Sequence, residues 1–211
     1  MKFAGQSPHA LLLALLALLT LPALALAADP PPSPEPPTTT TATNYPWSIS
    51  LGTGGGGYVE FVNAFSNGGP TGYDTSQREG RFQVNARADR QLGRWFRVGL
   101  AWAYNRWTDA YSSGTTRVGT VDNVVHSLLA DATLRWYRGE HVELYSALAA
   151  GVGRWSQAGE GIGASQDGVQ SGFAFQLRYF GINAGSERIR IFLDLGIGME
   201  GLVVGGATLR F

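Results

Sequence analysis

Arg81-Phe82-Gln83-Val84-Asn85-Ala86-Arg87-Ala88-Asp89 decides how the rest of the chain is read. Phe82, Val84, Ala86 and Ala88 fall on one side of an extended backbone, with Arg81, Gln83, Asn85, Arg87 and Asp89 on the other. A period of two marks a strand with unlike faces, because successive side chains of a strand point to opposite sides. The next run repeats it: Phe96, Val98, Leu100, Trp102 and Tyr104 alternate with Arg97, Gly99, Ala101, Ala103 and Asn105.

Outward from this stretch the pattern recurs. Leu128 to Trp136 oppose Ser127, Asp131, Thr133 and Arg135, and Val142 to Val152 oppose Glu143, Tyr145, Ala147, Ala149 and Gly151. Phe173 to Tyr179 oppose Ala174, Gln176 and Arg178, Ile189 to Ile197 oppose Arg190, Phe192 and Asp194, and Val203 to Phe211 oppose Val204, Thr208 and Arg210. With Trp47, Ile49 and Leu51 against Ser48 and Ser50, the count reaches eight strands. The expected fold is all-β, an eight-stranded antiparallel up-and-down transmembrane β-barrel over residues 47–211.

Link lengths give the orientation. Short links are expected at Gln91–Arg94, Arg138–His141 and Ala184–Arg188, and long polar ones at Gly54–Arg78, Thr108–Asn123 and Ser156–Val169. Transmembrane barrels have short periplasmic turns and longer external loops. Met199–Gly201 is the exception, a tight hairpin on the external side, and Tyr58, Phe61, Val62 and Phe65 have the spacing of a short surface helix.

Alternation alone does not say which face is inside, since a soluble lipid-carrying barrel shows the same pattern inverted. Aromatic side chains near the strand ends favour lipid contact: Trp95, Phe96, Trp136 and Tyr179 make a periplasmic girdle, and Trp102, Trp107 and Trp155 an outer one. Small residues on the polar face, such as Gly99, Ala101 and Ala149, suit a crowded lumen.

Ahead of the barrel, Lys2, the Leu/Ala run from Ala10 to Leu21, Pro22 and Ala25-Leu26-Ala27 have the order of a cleaved secretory signal, residues 1–27. Residues 28–46 are Pro/Thr-rich and read as an extended periplasmic linker. The 211 residues carry zero formal net charge and no cysteine. This balance gives no footing for a nucleic-acid partner, and absent cysteine excludes disulfides and thiolate metal sites and speaks against a lipoprotein anchor.

The stretch from Phe173 to Phe211, with alternating apolar positions and a terminal aromatic, resembles the closing strands of the porin-like outer-membrane β-barrel family, the small OmpA/OmpX-type barrels. The resemblance implies an integral protein of the Gram-negative outer membrane, touching its lipid and lipopolysaccharide. It also implies that Leu209 and Phe211 carry the signal read by the barrel-assembly machinery.

If the polar face is inside, Arg87, Arg97, Arg135, Arg178, Arg190 and Arg210 share the lumen with Asp89, Asp131, Glu143 and Asp194, as a structural network of ion pairs. The preferred function is a non-enzymatic, monomeric surface-interaction barrel acting through its external loops. The alternatives are a narrow porin-like channel, a lipid A-modifying enzyme and a soluble lipid-binding barrel. Catalysis has little support, because neighbouring His126 and Ser127 fall on opposite faces of a strand. Gly54–Gly57 lacks the Lys-Ser/Thr of a phosphate loop, and His9, His126 and His141 are too scattered for a zinc site. No cofactor is expected.

Overall fold

The computed structural model describes residues 45–55, 75–161 and 168–211, with side chains from residue 79 onwards in the second of these stretches. The expected signal, the linker before Tyr45 and the helix around Tyr58–Phe65 lie outside the described residues.

Eight strands follow in chain order: β1 Trp47–Gly55, β2 Thr75–Gln91, β3 Phe96–Ser113, β4 Thr116–Arg138, β5 Val142–Glu160, β6 Gly168–Gly185, β7 Ile189–Gly198 and β8 Val203–Arg210. Each pairs antiparallel with its sequence neighbour, and β1 also pairs with β8, so the sheet closes on itself. Trp47 and Phe211 seal the seam by exchanging backbone hydrogen bonds of 3.1 and 3.0 Å. Closure removes sheet edges, which matters where no water is at hand to satisfy backbone groups.

The period-two pattern sorts the side chains as expected. Ser48 and Ser50 are buried while Ile49 and Leu51 are exposed, and β7 alternates exposed Ile189, Ile191 and Leu193 with buried Arg190, Phe192 and Asp194. Bulges at Arg135/Tyr137 and Arg178/Phe180 shift the alternation near one end. That is how Trp136 and its neighbour Tyr137 both come to face outward.

The short links are turns between β2 and β3, β4 and β5, and β6 and β7. Two expected long loops are largely strand instead. The Thr108–Asn123 segment continues β3 to Ser113 and starts β4 at Thr116, around Gly114 in the left-handed region at φ +60°. Ser156–Val169 continues β5 to Glu160 and opens β6 at Gly168. Polar residues on both faces give a loop reading, but Thr, Tyr and Val in this segment favour extended backbone, and pairing across the hairpin satisfies that backbone while Ala110 and Val121 turn inward.

The wall is therefore uneven. β3, β4, β5 and β6 run for 18, 23, 19 and 18 residues, whereas β7 and β8 stop after 10 and 8. On the outer face the apolar positions run from Phe96 to Tyr104 on β3, from Trp136 back to Val124 on β4, and from Val142 to Val152 on β5. Each run is close to or above the ~9–11 residues a tilted strand needs to cross hydrocarbon. Arg106, Asp122 and Arg154 end them on the side of the long hairpins.

Candidate functional site in the barrel lumen

All ten charged residues expected in the lumen are buried: Arg87, Asp89, Arg97, Asp131, Arg135, Glu143, Arg178, Arg190, Asp194 and Arg210. Burial of this much charge is tolerable only with partners, and the partners form two tiers.

In the tier near the short turns, Glu143 is the hub. Arg210 Nη1 donates to its Oε1 at 3.1 Å and Arg210 Nη2 to its Oε2, while Arg135, Arg138 and Arg190 approach within 3.5, 3.8 and 3.8 Å. The surplus guanidinium hydrogens go to turn carbonyls. Arg135 donates to Gly93 O at 2.8 Å and Arg94 O at 2.5 Å, and Arg190 to Ser186 O at 3.0 Å and Glu140 O at 2.9 Å. The arginines thus fasten three turns to one carboxylate.

The middle tier holds a residue of the hairpin expected on the external side. Met199, Glu200 and Gly201 do form the tight β7–β8 hairpin, but its tip is turned into the lumen, and Glu200 is fully buried. Its two carboxylate oxygens face Arg87 Nε and Arg178 Nε, each at 3.7 Å. Arg87 also donates to Asp194 at 2.5 Å, Arg178 pairs with Asp131, and the Tyr145 hydroxyl donates to Asp194 at 2.5 Å. Beside the six buried arginines the lumen therefore holds five carboxylates, Asp89, Asp131, Glu143, Asp194 and Glu200. The excess of six arginines over four acids in the expected network was the one signal in the sequence that favoured a further enclosed acid.

Amides from distant strands hold the turn's backbone. Asn105 Nδ2 donates to Met199 O at 3.0 Å, Gln83 Nε2 to Glu200 O, and Gln176 Nε2 to Gly201 O at 3.2 Å, while Gln176 Oε1 accepts from Glu200 N at 2.8 Å. A turn at this depth has no bulk water, so its polar groups need such partners. Met199 packs on Ala101, Trp107, Val125, Leu129, Ala149 and Ala174. The turn closes the middle of the barrel as a plug, held by charge on one side and apolar contact on the other.

Two girdle assignments are corrected. Trp107 is 1% exposed and Trp155 packs against the same cluster, their rings 6.0 Å apart inside the barrel. Trp107 Nε1 donates to Asp109 at 2.9 Å and Trp155 Nε1 to Asn123 at 3.1 Å. Both share strand parity with lumen residues, Trp107 with Arg97 and Trp155 with Tyr145, and parity overrides the general preference of tryptophan for headgroups. Trp95, Phe96, Trp102, Trp136 and Tyr179 do face outward. On that face Trp102, Tyr104 and His126 form a patch with ring centres 5.0–6.3 Å apart. His126 is exposed and Ser127 buried, on opposite faces of β4. Leu209 and Phe211 are exposed on the outer face of the seam.

By strand order, register and the separation of its two faces, the chain is an eight-stranded antiparallel up-and-down barrel. No protein-family model matches the chain, and no curated protein matches it. Solved structures similar to it include Ail, the attachment invasion locus protein of Yersinia pestis, at 17% identity and TM-score 0.41, covering 78% of this chain and 97% of that one. The N-terminal β-barrel domain of Pseudomonas aeruginosa OprF follows at 14% identity and TM-score 0.41, with 78% and 96% covered. Ail in complex with the heparin analogue sucrose octasulfate matches at 18% identity and TM-score 0.41, with 78% and 97% covered. The likeness is one of fold.

Proposed function

We propose that this chain is an integral barrel of the Gram-negative outer membrane, closed to steady flow and without catalytic activity, whose role is surface interaction through its long hairpins. The observation that carries the reading is the inversion of an ordinary soluble core: Leu51, Leu100, Leu128, Leu148 and Ile191 are exposed, while eleven charged side chains are shut inside. Water would oppose such an arrangement and hydrocarbon would favour it, at ~25 cal/mol per Å² of apolar surface.

Heat-modifiable gel mobility with fractionation tests the membrane assignment: a species recovered in the outer-membrane fraction that shifts on boiling is expected, and recovery in the soluble periplasm overturns it. That second outcome would favour a soluble lipid-binding barrel. The plug formed by Met199–Gly201 supports a closed lumen over a narrow channel, so purified protein in a planar bilayer should show no steady conductance. Lipid A from expressing cells should keep its mass spectrum, as the separation of His126 and Ser127 on opposite faces gives a hydrolase no paired nucleophile and base.

In this reading the β3–β4 hairpin stands outside the cell, lipid and lipopolysaccharide surround a monomeric barrel, and Leu209 and Phe211 address it to the barrel-assembly machinery. A peptide tag inserted between Gly114 and Thr115 should bind antibody on intact cells. Labelling only after the envelope is permeabilised would invert the orientation and remove the surface role.

A further inference from the structure

Charge is spread unevenly along the outer wall. At the long-hairpin end the border charges pair across strands, Arg106 with Asp122 at 3.6 Å and Arg117 with Glu79 at 3.4 Å. Arg154 lies among them without a carboxylate in ion-pair reach among the described residues.

At the short-turn end three exposed arginines pair with rings instead. The Arg90 guanidinium carbon is 5.5 Å from the Trp47 ring centre, that of Arg94 is 4.8 Å from Trp95, and that of Arg188 is 5.4 Å from Tyr45. Arg188 Nε also donates to the Tyr45 hydroxyl at 2.8 Å. Among the described residues, the acidic side chains outside the lumen at this end are Glu140, which faces His141 at 3.8 Å, and Glu187, next to Arg188. Just inside, Glu143 is outnumbered by Arg135, Arg138, Arg190 and Arg210, so the whole end is positive.

Tryptophan and tyrosine settle at headgroup depth, and a guanidinium lying over such a ring is held there while its N–H edge stays free. That edge matches a phosphate in a two-pronged geometry. Arg90 ends β2 and Arg94 lies in the β2–β3 turn, whereas Arg188 lies in the β6–β7 turn, four strands further round the closed barrel, so the three are spread around the rim, each on its own ring. Such spacing fits several headgroups in a lipid annulus, whereas one free anion would need them to converge.

We propose that the collar of Arg90, Arg94 and Arg188, mounted on Trp47, Trp95 and Tyr45, selects anionic phospholipids in the periplasm-facing leaflet through their phosphodiester headgroups. It rests on the membrane reading given above. The test reconstitutes the protein in phosphatidylcholine bilayers containing brominated phosphatidylglycerol or brominated phosphatidylcholine, and reads tryptophan quenching as relative lipid affinity. Phosphatidylglycerol should be preferred by about fivefold, and the preference should fall to near unity in the triple variant R90Q/R94Q/R188Q. Should that variant fail to fold, raising salt from about 0.05 to 0.5 M must erode the wild-type preference.

Equal quenching by both lipids, or a preference that survives the triple variant or high salt, overturns the proposal. So does displacement of the lipid by soluble glycerophosphate, which would mark a site for free phosphate. Absence of quenching by either lipid would instead mean that the protein had not entered the bilayer, which is failure of the membrane reading itself.

Discussion

Two hairpins of one sheet end in opposite surroundings. The β3–β4 tip, Ser113 to Thr116, is exposed to solvent, while the β7–β8 tip, Met199 to Gly201, is buried in the lumen. Both turn on glycine with positive φ, Gly114 at +60° and Gly198 and Gly201 at +135° and +103°. What differs is the set of groups waiting for each. Arg87 and Arg178 each face a Glu200 carboxylate oxygen, and Gln83, Asn105 and Gln176 present amides to the β7–β8 turn's backbone. The β3–β4 tip carries Thr and Ser, which water solvates. A hairpin's destination here is set by partners on strands far away in sequence, and local turn chemistry leaves it open.

The largest expected effect breaks that contrast directly. Glu200→Ala leaves Arg87 and Arg178 short of a counter-charge in a closed space, at a cost of about 3–5 kcal/mol. Thr115→Ala at the exposed tip should stay within about 0.5 kcal/mol. Urea unfolding of both variants in lipid vesicles, followed by tryptophan fluorescence, measures the gap. Similar midpoints for the two would mean that Glu200 does not anchor the plug.

Glycine sharpens the comparison at intermediate size. A Cβ on Gly198 would come within 2.2 Å of Phe175 O and 2.8 Å of Gln176 Cα, whereas one on Gly114 meets nothing within 4 Å. Gly114→Ala therefore carries only the backbone cost of a positive φ, ~1–2 kcal/mol. Gly198→Ala adds overpacking of ~1–3 kcal/mol to a similar backbone cost. The same unfolding assay should rank them in that order, and equal losses would place the β7–β8 turn outside the packed lumen.

The sequence was legible wherever one physical rule acted alone. Alternation around Phe82–Ala88 and Phe96–Tyr104 specifies strands and inward charges, because a one-residue slip would put Arg87 or Arg97 on the apolar outer face. At Trp107 and Trp155 two rules compete. Their parity pointed inward, their residue type suggested an interface, and inside the barrel they found hydrogen-bond acceptors in Asp109 and Asn123. Thr108–Asn123 reads as loop because it carries polar residues on both faces, while strand pairing past the outer apolar band does not require an apolar face. Glu200 was hidden for a different reason: a turn has no period, and its direction follows from the three-dimensional placement of Arg87 and Arg178.

The smallest effect tests whether charge matters in the same way at both tips. Arg117 and Glu79 pair at 3.4 Å beside the β3–β4 tip, with side chains 54% and 48% exposed. Water screens such a pair and holding two long side chains together costs entropy, so Arg117→Gln should shift stability by no more than ~0.5 kcal/mol. The loss should shrink further in high salt, since exposed charges are screened within a Debye length of ~8–10 Å. Glu200→Ala, acting on a pair closed off from solvent, should keep most of its cost under the same salt. Parallel salt dependence in the two variants would mean that water reaches the plug, and the contrast between a solvated tip and a sealed one would fail.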